Sequence, residues 1–373
     1  MFIIIALLLY LLGNFYVFHH LWVAMPPSTI GRIIIIAFAS IVVLSLFLSF
    51  VAGESMPVGL TSVLYKIGTS WLFILIFFFI VLFVKDLIGF ANRFLHFMPA
   101  DAITRYTTDN WLGLAFMVGF IVMLMTCGYL KYTWKVRVEL PITTDKPIGD
   151  RSSLRIVAIS DMHLGYGISD KELAGWVEMI NKENPDIVLI AGDIVDNSTT
   201  PLNAGNYAEN LRKLKAPLGV YACMGNHEYI SGQVECTNFI NKSGIKMLRD
   251  ASIEIDSTFY IVGRDDRANP SRKRLAELTD SLDKSKPIIL LDHQPYHLEE
   301  AEDYGVDLQI SGHTHQGQVW PISMITKAMY EIDHGYKVKG KTNIYVSSGI
   351  GIWGGKFRIG TQSEYVVIDI KKK

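Results

Sequence analysis

The feature that most restricts the fold is a set of four apolar runs within the first 131 residues. Residues 2–24, 33–53 and 111–130 carry no Lys, Arg, Asp or Glu, and the remaining run, 71–91, is broken only by Lys85-Asp86. A helix needs about 20 apolar residues to cross a hydrocarbon layer roughly 30 Å thick. The runs therefore read as four transmembrane helices, with the lipid bilayer as the first expected partner. The chain opens Met1-Phe2-Ile3-Ile4 with no basic start and no small-residue cleavage site, so the first run reads as an uncleaved span. Lys85 and Asp86 lie near one end of their run, where pairing or reach toward the headgroups tolerates them. Trp22, Trp71, Trp111 and Tyr129 suit an interfacial belt, and His19-His20 read as interfacial histidines. Four spans put both chain ends on one face. That face has Lys66, Lys131, Lys135 and Arg137; the other has Arg32, Arg93 and Arg105, with Lys85 if it belongs there. The balance leans toward a cytoplasmic catalytic domain by one residue at most.

Charged residues become frequent only after about residue 131, which marks a water-soluble part following a membrane part. The totals are 35 basic and 36 acidic residues, so no basic surplus argues for nucleic acid as partner. Three cysteines make no disulfide framework. The expected organisation is an anchor over 1–131, a linker and lead-in strand over 132–152, and a catalytic domain over 153–373. Short apolar runs there predict strands at 154–160, 186–192, 217–224, 258–263, 287–292, 306–311, 342–347 and 364–370. Amphipathic stretches predict helices at 170–183, 205–215, 232–242, 270–283 and 296–303. Alternation of the two defines an α/β class with buried sheet.

Polar clusters fall just past the carboxyl ends of five predicted strands: Asp161 and His163, Asp193, Asn226 and His227, His293, and His313 and His315. That edge is where open α/β sheets bind ligands. The residue types fit one chemistry. Two divalent ions about 3.5–4 Å apart clamp a phosphate and generate a hydroxide near neutral pH. A bridging ligand must offer oxygen to both, hence a carboxylate. Imidazole and carboxylate suit Mn, Fe and Zn. A separate histidine must protonate the leaving oxygen, and a nearby acid fixes its tautomer.

The ordered set Asp161-x-His163, Gly192-Asp193-x-x-Asp196, Gly225-Asn226-His227-Glu228, His293 and Gly312-His313-x-His315 resembles the calcineurin-like metallophosphoesterase superfamily over about residues 150–370. Gly263-Arg264-Asp265-Asp266, Gln316-Gly317-Gln318 and Ser347-Ser348-Gly349-Ile350-Gly351 are similar to its membrane-associated bacterial branch. The resemblance implies a two-sheet α/β sandwich with helices outside. It implies two divalent metal ions, with Mn preferred over Fe or Zn. One ion would take Asp161, His163, Asp193 and His315; the other would take Asp193, Asn226, His293 and His313. Asp193 would bridge, His227 would donate the proton, and Asp196 would orient it. The implied activity is hydrolysis of a phosphate ester or anhydride. The branch suggests a lipid-linked substrate such as UDP-2,3-diacylglucosamine. Asn197 stands where protein phosphatases of the superfamily carry Arg, which weakens that reading.

Other residues carry plainer expectations. Glu228 reads as a local cap or surface acid, Arg358 as a surface arginine, and Asp265 and Asp266 as either a turn or support behind the site. Arg264, Arg267, Arg272, Lys273 and Arg274 read as a solvated helix face; if they met a phosphate backbone, a nuclease or cyclic-nucleotide phosphodiesterase would be the alternative. A non-catalytic, metal-stabilised membrane scaffold is the other alternative. Residues 319–330 read either as packed core or as an apolar lip beside the metals that dips into lipid.

Overall fold

In a computed structural model that describes residues 2–99 and 109–373, the apolar runs are helices. They are α1 (Phe2–Ala24), α2 (Thr29–Val51), α3 (Val58–Leu95) and α4 (Trp111–Thr133), each long and apolar enough to cross a membrane. α2 starts where the Ser28 hydroxyl accepts the Gly31 N–H, a serine N-cap. α3 contains the expected span of 71–91 and is 38 residues long. Nothing between Pro57 and His96 breaks a helix; the proline precedes the first turn, and His96 ends the last one in a left-handed conformation.

His20, near the end of α1, meets acidic partners. Its ring lies 2.8 Å from Asp109 and 3.1 Å from Asp86, while Tyr16 donates to Asp86 at 2.6 Å and Lys85 pairs with Asp109. The charges that interrupt the third run are thus met by partners on α1 and just before α4. Arg105, counted above, lies outside the described residues.

The chain divides into two units, Met1–Tyr129 and Leu130–Lys373. The second holds two six-stranded sheets. One has the order β1-β12-β2-β3-β4-β5, from β1 (Lys135–Thr144), β2 (Ser153–Ile159), β3 (Ile187–Ala191), β4 (Val220–Cys223), β5 (Lys246–Met247) and β12 (Ser363–Lys372). The other has the order β10-β11-β9-β8-β7-β6, from β6 (Ala251–Ile255), β7 (Phe259–Gly263), β8 (Ile288–Leu291), β9 (Leu308–Ser311), β10 (Gly335–Lys339) and β11 (Thr342–Val346). β2 to β5 run parallel, as do β11, β9, β8 and β7. Much of the expected linker is therefore β1, paired in parallel with β12 at the sheet edge.

Side chains alternate across each strand. Ile156, Leu189, Ala191 and Ile368 face Ile261, Ile289, Leu291 and Ile310 of the other sheet in one buried core. Val157, Ile159, Val188 and Ile190 point the opposite way, against Leu173, Trp176, Val177 and Ile180 of α5 (Asp170–Lys182). Strands buried on both faces read as unbroken apolar runs, which is why β2, β3 and β8 were visible in the sequence. The result is the two-sheet sandwich expected. The expected helix over 270–283 shrinks to Leu275–Thr279.

Candidate metal centre

Five strands of the sandwich, β2, β3 and β4 from one sheet and β8 and β9 from the other, end at one rim. The loops after them extend the pairing: Asp161 N–H donates to Gly192 O, His163 N–H to Asp193 O, and Gly312 N–H to His293 O. Side chains then tie loop to loop. Asp193 Oδ1 accepts the His227 N–H at 2.9 Å, and Asp161 Oδ1 accepts the His313 N–H at 2.9 Å. Asp161, His163, Asp193, His313 and His315 all adopt positive φ, between 47° and 72°. Non-glycine residues hold that conformation at a cost of roughly 1–3 kcal/mol each, tolerated where surroundings over-determine it. Gly192, at φ 79°, has no such freedom to give up: a Cβ there would sit 2.6 Å from His293 Nδ1. A Cβ at Gly225 would collide with the Asp193 carboxylate.

All seven expected ligands meet at this rim. Asp161, His163 and His315 form one group whose ligand atoms lie within 4.8 Å of one another, and Asp193, His293 and His313 form a second. Asp193 Oδ2 lies 3.0 Å from His293 Nε2 and 3.8 Å from His163 Nε2, so it stands between the groups. Asn226 joins the second group, with Oδ1 2.8 Å from His313 Nδ1. His227 Nδ1 lies 2.8 Å from Asp196 Oδ1, and its ring packs edge-on to His163. His227 also shares a third grouping with His163 and Asp193.

The electrostatics are mixed: burial opposes charge on His293, but Asp193 and Asp161 hold its pKa well above the imidazole range, while His313 and His315 shift down. Burial raises the Asp161 pKa despite neighbouring imidazoles. Burial also opposes the charge on Asp193, but His293 and His227 beside it hold its pKa well below the ordinary range. Burial and the neighbouring His293 push His313 down to about 3, and burial with His163 pushes His315 well down, so both imidazoles are neutral and available as ligands. Burial disfavours charged His227, yet Asp193 and Asp196 outweigh it and hold the pKa up at about 9. His163 Nδ1, His293 Nε2 and His315 Nδ1 are buried without a hydrogen-bond partner. Of these, His293 Nε2 faces Asp193 Oδ2 at 3.0 Å, where a bound cation would take its lone pair. His293 Nδ1 meets Ala191 O at 2.7 Å, which leaves Nε2 as the ligand atom.

Two expectations fail here, and of the two readings of Glu228 the cap holds. Glu228 is no surface acid: it is fully buried and accepts N–H groups from Gly225, Asp193, Ile194 and Val195 at 2.7–3.0 Å. Its cap role was legible from its place three residues after Gly225; its grip on the Asp193 loop was not. Arg358 is buried and donates to the carbonyls of His315, Ser348 and Gly351. Arg264 and Arg272 are no solvated face either, since both pair with the buried Asp292 beside His293. The short helix α8 (Ile322–Met329; α6 is Asn226–Ile230 and α7 is Gln233–Lys242) has no buried residue. Met324, Ile325, Met329 and the preceding Trp320 are exposed, and Tyr330 at its end lies edge-on to His313.

Residues 154–317 match the family profile of calcineurin-like phosphoesterases. An "uncharacterized metallophosphoesterase" of Campylobacter jejuni is 31% identical over 317 residues, covering 82% of this chain and 83% of that one. Another from Aquifex aeolicus is 33% identical, covering 68% of this chain and 99% of its own length. A "transmembrane protein with metallophosphoesterase domain" from Danio rerio is 32% identical, covering 64% of this chain and 57% of that one. The chain belongs to the calcineurin-like metallophosphoesterases. With its four apolar helices, it is a membrane protein of that family.

Proposed function

We propose that the protein is a dinuclear metal-dependent phosphohydrolase anchored in the membrane and acting on a phosphate-bearing lipid. The observation that carries the reading is the pair of ligand groups meeting at Asp193, with His227 and Asp196 beside them. Asp161, His163 and His315 would hold one ion, Asn226, His293 and His313 the other, and Asp193 would touch both. When bound, such ions neutralise phosphate charge and activate water for attack. His227 protonates the leaving oxygen, and Asp196 fixes its ring so that the proton sits where the leaving group departs. Glu228 keeps the Asp193 and Asn226 loops in register. The lipid part rests on α8: an exposed apolar face ends at Tyr330, next to His313, in a chain with four membrane helices. It would guide an acyl or prenyl chain. The basic-residue count favours a cytoplasmic site.

Purified protein with manganese, given a panel of lipid phosphates, lipid pyrophosphates such as UDP-2,3-diacylglucosamine, nucleotides and polynucleotides, tests the assignment. Released phosphate or monophosphate from lipid substrates ahead of the rest supports it; preferential cleavage of polynucleotides or cyclic nucleotides overturns it.

A further inference from the structure

We propose that Asp265-Asp266-Arg267 is a bracket that positions the Asn226, His293 and His313 side of the centre, one residue for each ligand-bearing segment. The inference rests on the two-ion reading above. The triplet follows β7, and both carboxylates are buried. Asp265 accepts the Tyr229 hydroxyl at 2.8 Å on each oxygen, along with Arg249 Nε at 2.7 Å and Asn269 Nδ2 at 2.8 Å. Tyr229 lies on α6, the helix that begins with Asn226. Asp266 accepts from Gln294 Nε2 on both oxygens, at 3.0 and 2.9 Å, and from the Ala268 N–H at 2.8 Å, and Gln294 directly follows His293. The Arg267 guanidinium lies 4.5 Å over the Tyr296 ring. Tyr296 packs on Tyr330 at 4.9 Å, and Tyr330 stands edge-on to His313 at 6.3 Å.

Asp265 and Asp266 thus hold the segments that carry Asn226 and His293, and Arg267 reaches His313 through Tyr296 and Tyr330. Among the described residues, no hydrogen bond or ion pair runs from the triplet to Asp161, His163 or His315. Two adjacent buried carboxylates are expensive, and each has a partner on a segment that carries a ligand, Tyr229 for Asp265 and Gln294 for Asp266. Groups that hold a ligand from behind set its orientation, and losing one typically costs about 10–100-fold in metal affinity. Here that loss falls on one ion rather than both.

The full-length protein in lipid nanodiscs, stripped of metal and titrated with manganese, tests this. Metal per chain is read by mass spectrometry after equilibrium dialysis, and ion–ion coupling by electron paramagnetic resonance. Gln294→Ala and Asp266→Ala are expected to weaken one ion by about 10–100-fold and leave the other within about twofold. The coupled two-ion spectrum is lost and a single-ion spectrum remains. Arg267→Met acts the same way more weakly, and Arg274→Ala, on the exposed side, leaves both ions bound. Should Asp266→Ala fail to fold, Gln294→Ala, which removes one amide and no charge, carries the test. Equal weakening of both ions, or variants with two-ion binding like the unaltered protein, overturns the bracket alone. Unaltered protein that takes up a single ion overturns the two-ion reading and the bracket together.

Discussion

A buried charge among backbone groups sets more of this site than its exposed residues do. Glu228 satisfies four N–H groups of the two loops that carry Asp193 and Asn226. Glu228→Ala orphans all of them, and a buried unsatisfied donor costs about 1–3 kcal/mol. The expected outcome is a loss of at least about 3 kcal/mol in urea unfolding of the catalytic unit; a loss under about 0.5 kcal/mol contradicts the role. Glu364 makes a pH-dependent contribution. Burial opposes its charge, but His334 and the Ser348 N–H hold its pKa below 4.5. A depressed carboxyl pKa stabilises above the unfolded value and loses that contribution as pH falls through the folded value. Glu364→Gln should therefore flatten the stability curve below about pH 4.5 and leave its shape at neutral pH unchanged. Arg358 was misread, and the surface reading of Glu228 failed, because burial at both depends on loops that fold over them from distant strands. No local pattern separates a buried arginine from an exposed one. The candidate ligands were legible as a set because each pairs a metal-binding type with a strand end.

At the scale of elements, unbroken apolar runs announced the central strands, while the edges were silent. β6 and β10 alternate exposed and half-buried positions, so little apolar signal marks them. The segment 319–330 was left open between core and lip, and α8 presents Met324, Ile325 and Met329 outward. Trp320→Gln with Ile325→Ser should cut turnover of a lipid phosphate by about tenfold or more, since each buried apolar side chain is worth about 1.5–3 kcal/mol. Turnover of a soluble aryl phosphate should change little. Equal losses on both substrates would remove α8 from substrate recognition.

For the molecule as a whole, the membrane unit and the sandwich follow from two different sequence signals, a long uncharged run and a short one flanked by turns. The run of 71–91 lies inside a longer helix, α3, bounded by Pro57 and the left-handed His96. Metal and stability are linked across the sandwich, because ligand loops from both sheets close on the same centre. Chelation should lower the unfolding temperature of the catalytic unit, and manganese should restore it; at 100 times its dissociation constant a ligand adds about 2.7 kcal/mol. His227→Ala should keep both ions and lose at least about a hundredfold in hydrolysis. Unchanged hydrolysis in that variant would remove His227 from the proton-donor role, and an unchanged cellular phenotype would favour a scaffold over an enzyme.

The most direct measurement is anomalous diffraction from manganese-loaded crystals. The account predicts two peaks about 3.5–4 Å apart, one beside Asp161, His163 and His315, the other beside Asn226, His293 and His313, with Asp193 touching both. A single peak, or two peaks with no shared contact at Asp193, would contradict it.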